Sequence, residues 1–257
     1  VDAKTIDAMI LSHAHLDHCG YLPLLVHDGF KGLIHTTFYT ERLASVILHD
    51  SARLQMQGDQ KPLYDTQDVD KALSQFKVQQ FHKKTEIAKN TFVTFYPSGH
   101  ILGSAFLVLE VEGQNILFTG DMGRDNHPLL VPPHVPDETE FSAVITESTY
   151  GDRTHDTPSD LFAEEINAAF ARGGSILIPA FAVDRTEVIL MKLRELIETK
   201  QIPNVPIYVD SPMALTALDY YREAITSESR EIRENIHTKF HDQDPFDTGE
   251  LYQMRTT

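Results

Sequence analysis

The sequence predicts an α/β protein, and three stretches carry that prediction. The last third alternates helix and strand: a helical pattern over residues 161–172, an apolar strand at 175–179, a helix at 186–200, a strand at 207–209 and a further helix after Ala214. This rhythm specifies a small parallel sheet covered by helices. Residues 91–96 and 105–112 alternate in strand fashion, and Gly113-Gln114-Asn115 closes a hairpin onto residues 116–119. An apolar run, Ala8-Met9-Ile10-Leu11, is short enough for a buried strand and opens into Ser12-His13-Ala14-His15-Leu16-Asp17-His18.

In an extended segment alternate side chains share a face, so His13 and His15 point together while Ala14 points back toward the core. Asp17 and His18 reach the same side only if the chain turns, with Gly20 as a tight exit. Residues 21–26 read as a short apolar helix, Asp28-Gly29 and Lys31-Gly32 as turns, and residues 33–35 as a brief strand. A helix is predicted from Thr40, its N-cap, with Leu43, Val46, Ile47 and Leu54 at helical spacing and His49 and Asp50 on a solvated or partly buried face. Residues 57–89 are polar and read as a surface excursion with a helix-like patch at 69–76, Lys83-Lys84 being a solvated charge pair. Pro128, Pro132, Pro133 and Pro136 interrupt regular structure before an apolar strand at 143–146. Asp244-Pro245-Phe246-Asp247 reads as a turn-rich tail that caps nothing.

At 257 residues the chain can bury a sizeable core in one large or two smaller domains. Its 38 acidic against 22 basic residues give a formal charge of −16, which excludes nonspecific, charge-driven binding to nucleic acid or anionic membrane. A polyanionic substrate then requires local cations, bound metal included. The single cysteine, Cys19, allows no intrachain disulfide and fits a reducing, cytoplasmic setting, where it reads as a small buried filler. No stretch approaches the roughly 18 to 20 apolar residues of a membrane span. The start, Val1-Asp2-Ala3-Lys4, shows neither an initiating Met nor a signal peptide, and the expectation is a piece cut from a longer chain.

Three histidines and an aspartate within six residues, at the mouth of a strand, are the chemical signal. A structural role for all four would require four separate partners for polar groups that are costly to bury. Imidazoles with a carboxylate suit zinc or another borderline divalent ion, and the carboxylate can bridge two. A further histidine, His100, sits in the glycine-flanked loop Pro97-Ser98-Gly99-His100-Ile101-Leu102-Gly103-Ser104, where it can approach the pair from another side. Asp121, between Gly120 and Met122 at the end of an apolar strand, is the natural bridging ligand. Glu147 also ends a strand, and its spacing is equally consistent with a capping or salt-bridging group and with a site carboxylate.

His13-Ala14-His15-Leu16-Asp17-His18, His100 and Asp121 within Thr119-Gly120-Asp121 together resemble the ligand series of the metallo-β-lactamase superfamily. Ile145-Thr146-Glu147-Ser148-Thr149-Tyr150-Gly151, Ile178-Pro179-Ala180-Phe181-Ala182-Val183-Asp184-Arg185 and Val209-Asp210-Ser211-Pro212-Met213-Ala214 resemble its β-CASP branch of nucleic-acid processing nucleases. The relatives this implies are bacterial and archaeal homologues of the endonuclease subunit of the eukaryotic mRNA 3′-end cleavage complex. The implied fold is a partial αβ/βα sandwich over residues 1–152, with a partial inserted β-CASP α/β domain over 153–257.

The resemblance implies that His13, His15 and His100 hold a first zinc, that Asp17 and His18 hold a second, and that Asp121 bridges them. Asp17, Asp121 and Glu147 become the catalytic carboxylates, Asp121 orienting the nucleophile and Glu147 accepting the second ring proton of a catalytic or ligating histidine. Arg185 and Ser211 are expected to face a cleft and touch phosphate. The family pattern continues to two further histidine motifs beyond Thr257, and His237 and His241 lack that motif context, so these residues alone are expected to cleave weakly or not at all. The implied activity is hydrolysis of RNA phosphodiester bonds by two zinc ions, or manganese, sharing a hydroxide. Two cations roughly 3.5–4 Å apart lower the pKa of a shared water and clamp the charge of an in-line displacement. RNA is the implied partner, with no membrane and with a homodimer left open. The alternatives are a superfamily hydrolase of a small thioester or lactone, which has no need of the chain beyond Glu147, and a noncatalytic RNA-processing scaffold.

Overall fold

The computed structural model describes every residue except 135, 137–139, 154–160 and 255–257. The chain falls into two compact units, Val1–Glu147 and Ser148–Thr257. No described helix is long and apolar enough to cross a membrane.

The first unit begins with β1 (Ala8–Ile10), the single-turn helix α1 (Leu16–Cys19), α2 (Leu22–His27), β2 (Leu33–Thr37) and the long α3 (Phe38–Gln57). The sequence places the start of α3 at Thr40, but its N-cap is Thr37 and Thr40 lies buried inside the first turn. Thr37 makes no side-chain capping bond. Its hydroxyl and that of Thr40 are both drawn to the carbonyl of Gly103, at 2.5 and 2.8 Å. Gly103 has φ +84, and a Cβ there would lie 2.4 Å from the Thr40 nitrogen, so only glycine allows this approach.

The stretch read as a surface excursion is largely built into the fold. It holds α4 (Thr66–Ser74), whose N-cap Asp65 accepts from the backbone of Gln67 and Asp68 in a reciprocal capping box. It also holds β3 (Phe76–Gln79), which pairs parallel with β2 and completes the three-stranded order β1-β2-β3. β4 (Thr85–Ala88), β5 (Thr91–Pro97), β6 (Ala105–Val111), β7 (Gln114–Phe118) and β8 (Ala143–Ile145) then form a five-stranded sheet in that order. Glu112 and Gly113, at φ 51 and 81, make the two-residue turn between β6 and β7.

Alternation gives this sheet two apolar faces. Val93, Phe95, Ala105 and Leu107 form one cluster, against which Ile10 of β1 packs; Tyr96, Phe106 and Val108 form the other. Contact from Ile10 brings the edge of the parallel sheet onto the five-stranded one, and the Ala105 N–H donates to the Ser12 carbonyl at 3.0 Å. The ends of β1, β5 and β7 therefore meet in one place.

The second unit contains α5 (Phe162–Ala171), α6 (Arg185–Glu198), β9 (Ile207–Val209), α7 (Pro212–Thr226), α8 (Glu234–Lys239) and β10 (Leu251–Gln253). A parallel sheet is present, but its strands are β9 and β10, not the predicted 175–179. Residues 175–179 are irregular, and Leu177 is 91% exposed. A strand requires a hydrogen-bonded neighbour, and among the described residues this segment has none. The 244–247 tail likewise departs from its reading: Phe246 is fully buried, and the chain after it supplies β10.

One buried acid in this unit gives a testable stability effect. Glu187, in the first turn of α6, is completely buried, and neither carboxyl oxygen has a hydrogen-bond partner among the described residues. Burial pushes its pKa well above the usual 4.5, and the nearby Asp184 charge adds to the rise. The folded state thus keeps this proton to higher pH than the unfolded chain does. Stability is lost as pH rises from about the unfolded value of 4.5 toward the folded one. Glu187→Gln removes that loss. Its stability gain over wild type at pH 8 should exceed its gain at pH 4 by about 1–3 kcal/mol in urea titrations. Equal effects at the two pH values would show that Glu187 is not held neutral.

Candidate metal centre

β1 carries the chain into the site still extended: the Leu11 N–H donates to the His35 carbonyl at 2.9 Å, one step past the last paired residue. His13 and Ala14 are fully buried. The single turn of α1 starts directly after His15 and swings His18 back beside His13, their ring centroids 4.1 Å apart. Gly20 ends this turn with φ −62 and ψ −22, so its dihedrals suit any residue. What excludes a side chain is space, since a Cβ would sit 2.5 Å from the Leu16 carbonyl oxygen. Cys19 is a buried filler whose thiol donates to the Ala14 carbonyl; burial pushes its pKa up to about 12.

Two other strands bring the remaining donors. His100 lies in the loop between β5 and β6, held on α3 through Gly103. Asp121 follows β7, whose last turn toward the site is fixed by the Thr119 N–H donating to the Ile145 carbonyl. One ligand atom from each of His13, His15, His100 and Asp121 lies within 4.8 Å of all the others. Asp121 Oδ2 is 3.7 Å from His13 Nε2 and 3.6 Å from His100 Nε2, and His15 Nδ1 is 3.1 Å from His100 Nε2. The other oxygen, Asp121 Oδ1, is 3.2 Å from His18 Nε2, which is in turn 3.5 Å from Asp17 Oδ2.

The donor set fits a cation better than it fits a hydrogen-bond network. His13 Nε2 is buried without a hydrogen-bond partner among the described residues, a costly arrangement that a metal ligand would explain. Burial, reinforced by the His18, His15 and His100 rings, pushes the pKa of His13 down to about 2. It is therefore a neutral imidazole, the form that binds metal. Ser12 Oγ lies 3.1 Å from His13 Nδ1 and can fix the tautomer that turns Nε2 inward.

The other predicted residues have different placements. Glu147 Oε1 accepts from the Met122 N–H at 2.8 Å, so it grips the backbone immediately after Asp121. Arg185 is exposed at the first turn of α6, in the second unit. Ser211 caps α7, its oxygen accepting from the Ala214 N–H at 3.2 Å. His237 lies between the carbonyls of Ile225 and Ser229, 3.0 Å from each. Ser12, Ser98 and Ser104 touch the ligand-bearing segments and were not singled out by the sequence; for Ser12 the signal was its place directly before His13.

Residues 2–131 match the metallo-beta-lactamase superfamily domain, and residues 186–257 match the Beta-Casp domain. Among curated proteins, the chain is 33% identical over 235 residues to "Ribonuclease TTHA0252" of Thermus thermophilus, covering 90% of this chain and 52% of that protein. It is 35% identical to the "RNase J-like protein" of Methanocaldococcus jannaschii, covering 83% of this chain and 49% of that protein. It is 32% identical to "Cleavage and polyadenylation specificity factor 73" of Drosophila melanogaster, covering 92% and 35% respectively. The chain thus spans about half or less of the length of these relatives. With its His and Asp donors gathered at the strand ends of the first unit and both domain types matched in order, the chain belongs to the metallo-β-lactamase superfamily, in its β-CASP branch.

Proposed function

We propose that the protein is a metal-dependent ribonuclease that hydrolyses RNA phosphodiester bonds at a dinuclear zinc site, with a metal-holding domain over residues 1–152 and a β-CASP domain from 153. One observation carries the reading: the two oxygens of Asp121 face two different donor sets. Oδ2 faces His13 and His100, with His15 beside them; Oδ1 faces His18, with Asp17 beyond it. A carboxylate with one oxygen toward each set could hold a borderline divalent ion on either side, with imidazoles completing each set.

Two zinc ions, if held there, would supply a hydroxide nucleophile at neutral pH and neutralise the charge that develops on phosphate. The chain's own contribution is to hold the His13, His15 and His100 imidazoles on one side, to set the Asp121 carboxylate between the two donor sets, and to fix its backbone through Glu147 and Met122. With an overall charge of −16, attraction for RNA must come from this site and from local cations such as Arg185, not from the surface as a whole. The rival, hydrolysis of a small thioester or lactone, is disfavoured by the Beta-Casp match and by the names of the relatives, which are ribonucleases and a cleavage factor.

The test is one preparation of full-length protein assayed on an RNA oligomer and on a thioester, with metal content measured alongside. RNA cleavage that depends on zinc is expected; thioester turnover with intact RNA would reject the proposal. Asp17→Ala gives a finer check. Asp17 is 79% exposed at its side chain and lies only on the His18 side. Its loss should lower metal content from two ions per chain to one and reduce cleavage by about 10- to 100-fold without changing the melting temperature. Two retained ions would remove Asp17 from the site.

A further inference from the structure

The two segments that carry His100 and Asp121 come from different strand connections, and no covalent link sets their separation. A buried pair of hydroxyls stands between them. Ser98 is fully buried and Ser104 is 2% exposed. Ser104 Oγ lies 3.0 Å from the His100 nitrogen and 3.1 Å from the Ile101 nitrogen, accepting from both N–H groups. Ser98 Oγ is 2.9 Å from Ser104 Oγ and 3.1 Å from the carbonyl oxygen of Asp121. On the backbone, the Ser98 N–H donates to the Ser104 carbonyl at 3.0 Å and the Gly123 N–H donates to the Ser98 carbonyl at 2.9 Å.

We propose that Ser98 and Ser104 form a hydroxyl relay that sets the distance between His100 and Asp121, making them positioning residues for the metal centre. The inference rests on the metal-site reading above. Its physical basis is that one end of the relay holds the amide of a ligand residue while the other end holds the carbonyl of a second ligand residue. The relay is dry and the path is short, so the hydrogen bonds are strong and their geometry is transmitted with little slack. Removing the Ser98 hydroxyl breaks the side-chain link between the Asp121 and His100 segments but leaves the Gly123–Ser98 backbone bond and the acceptor of both loop amides in place. The fold is therefore retained while the ligand spacing relaxes.

The experiment is cobalt(II) titration of the metal-free full chain, followed by visible absorption, for wild type, Ser98→Ala and Ser104→Ala. Val108→Ala serves as a control, because Val108 packs on the other face of the same sheet, against Tyr96 and Phe106. Ser98→Ala should bind the first ion about 10- to 100-fold more weakly and shift its absorption bands, as expected when a group that orients a ligand is lost. Ser104→Ala, which also strips the acceptor from the His100 and Ile101 amides, should show a larger loss. Val108→Ala, at a similar fall in melting temperature, should keep wild-type affinity and bands. Unchanged affinity and spectrum in Ser98→Ala, or an equal loss in Val108→Ala, would overturn the relay alone. No cobalt uptake by wild type would overturn the metal-site reading, and the relay with it.

Discussion

On the proposed two-ion reading, replacing Asp121 by alanine should empty both halves of the metal centre at once and, in full-length protein, lower RNA hydrolysis by about a thousandfold, the scale expected when charge stabilisation is lost from an active site. The reason is its position. Each of the other donors touches one side: His13 and His100 face Oδ2, whereas His18 faces Oδ1. Loss of any of these weakens one ion, but loss of Asp121 takes a ligand and a negative charge from both. It also leaves four imidazoles crowded together, with His13 5.0 Å from His15 and 5.1 Å from His100 between ring centroids, and only Asp17, exposed beyond His18, to offset two divalent charges. The backbone at this point is held by the Ser98 hydroxyl and by Glu147 through Met122, not by the Asp121 side chain, so the fold should persist. Metal content by mass spectrometry, melting temperature and cleavage of an end-labelled RNA are the three measurements. Asp121→Asn keeps one oxygen donor and should retain a single weakly bound ion. Two ions per chain in Asp121→Ala would disprove the bridging role.

The ligand cluster was legible because most of it is local. Residues 13–18 lie on one extended segment and one helical turn, so side-chain alternation and a single bend suffice to place them; the structure gathers His13 and His15 with His100 and Asp121 and sets His18 beside Asp121, while Asp17 stays exposed beyond His18. What was illegible depends on distant partners. Thr37 fell between the strand read at 33–35 and the cap read at Thr40, but the hydroxyls of both threonines answer to a carbonyl 66 and 63 residues away. β3 was hidden because it lies at the edge of its sheet, where only Gln79 of its four residues is buried and no apolar alternation is needed. The serines beside the candidate metal ligands carry no residue-type signature, since a hydroxyl reads as solvent-facing until its neighbours are known. Residues 175–179 failed in the opposite sense: the apolar pattern was right for a strand, but β9 pairs with the segment after Phe246.

Phe246 anchors the segment that makes this exchange, and Phe246→Ala should destabilise the second unit by about 3–5 kcal/mol, the usual range for truncating a buried phenylalanine. The ring is fully buried, and the Arg222 guanidinium lies over it at 5.9 Å. The same guanidinium donates through Nε to Asp244 at 2.8 Å, Asp244 accepts from the Phe246 N–H at 2.9 Å, and Arg194 of α6 holds the Asp244 carbonyl. Phe246 thus fastens the tail to α6 and α7 and sets the register in which Leu251, Tyr252 and Gln253 meet Ile207, Tyr208 and Val209. Without the ring, the cavity and the loosened arginine contacts act together, because the side chains share partners and their effects do not simply add. Urea unfolding followed by tyrosine fluorescence should show a midpoint lower by on the order of 2 M. Asp244→Ala should cost less, since it leaves the ring buried and removes one partly exposed ion pair with Arg222 and the acceptor of the Phe246 N–H. If Phe246→Ala cost less than about 1 kcal/mol, well below the range for a core aromatic, the tail would be an ornament on the unit and not one of its strands.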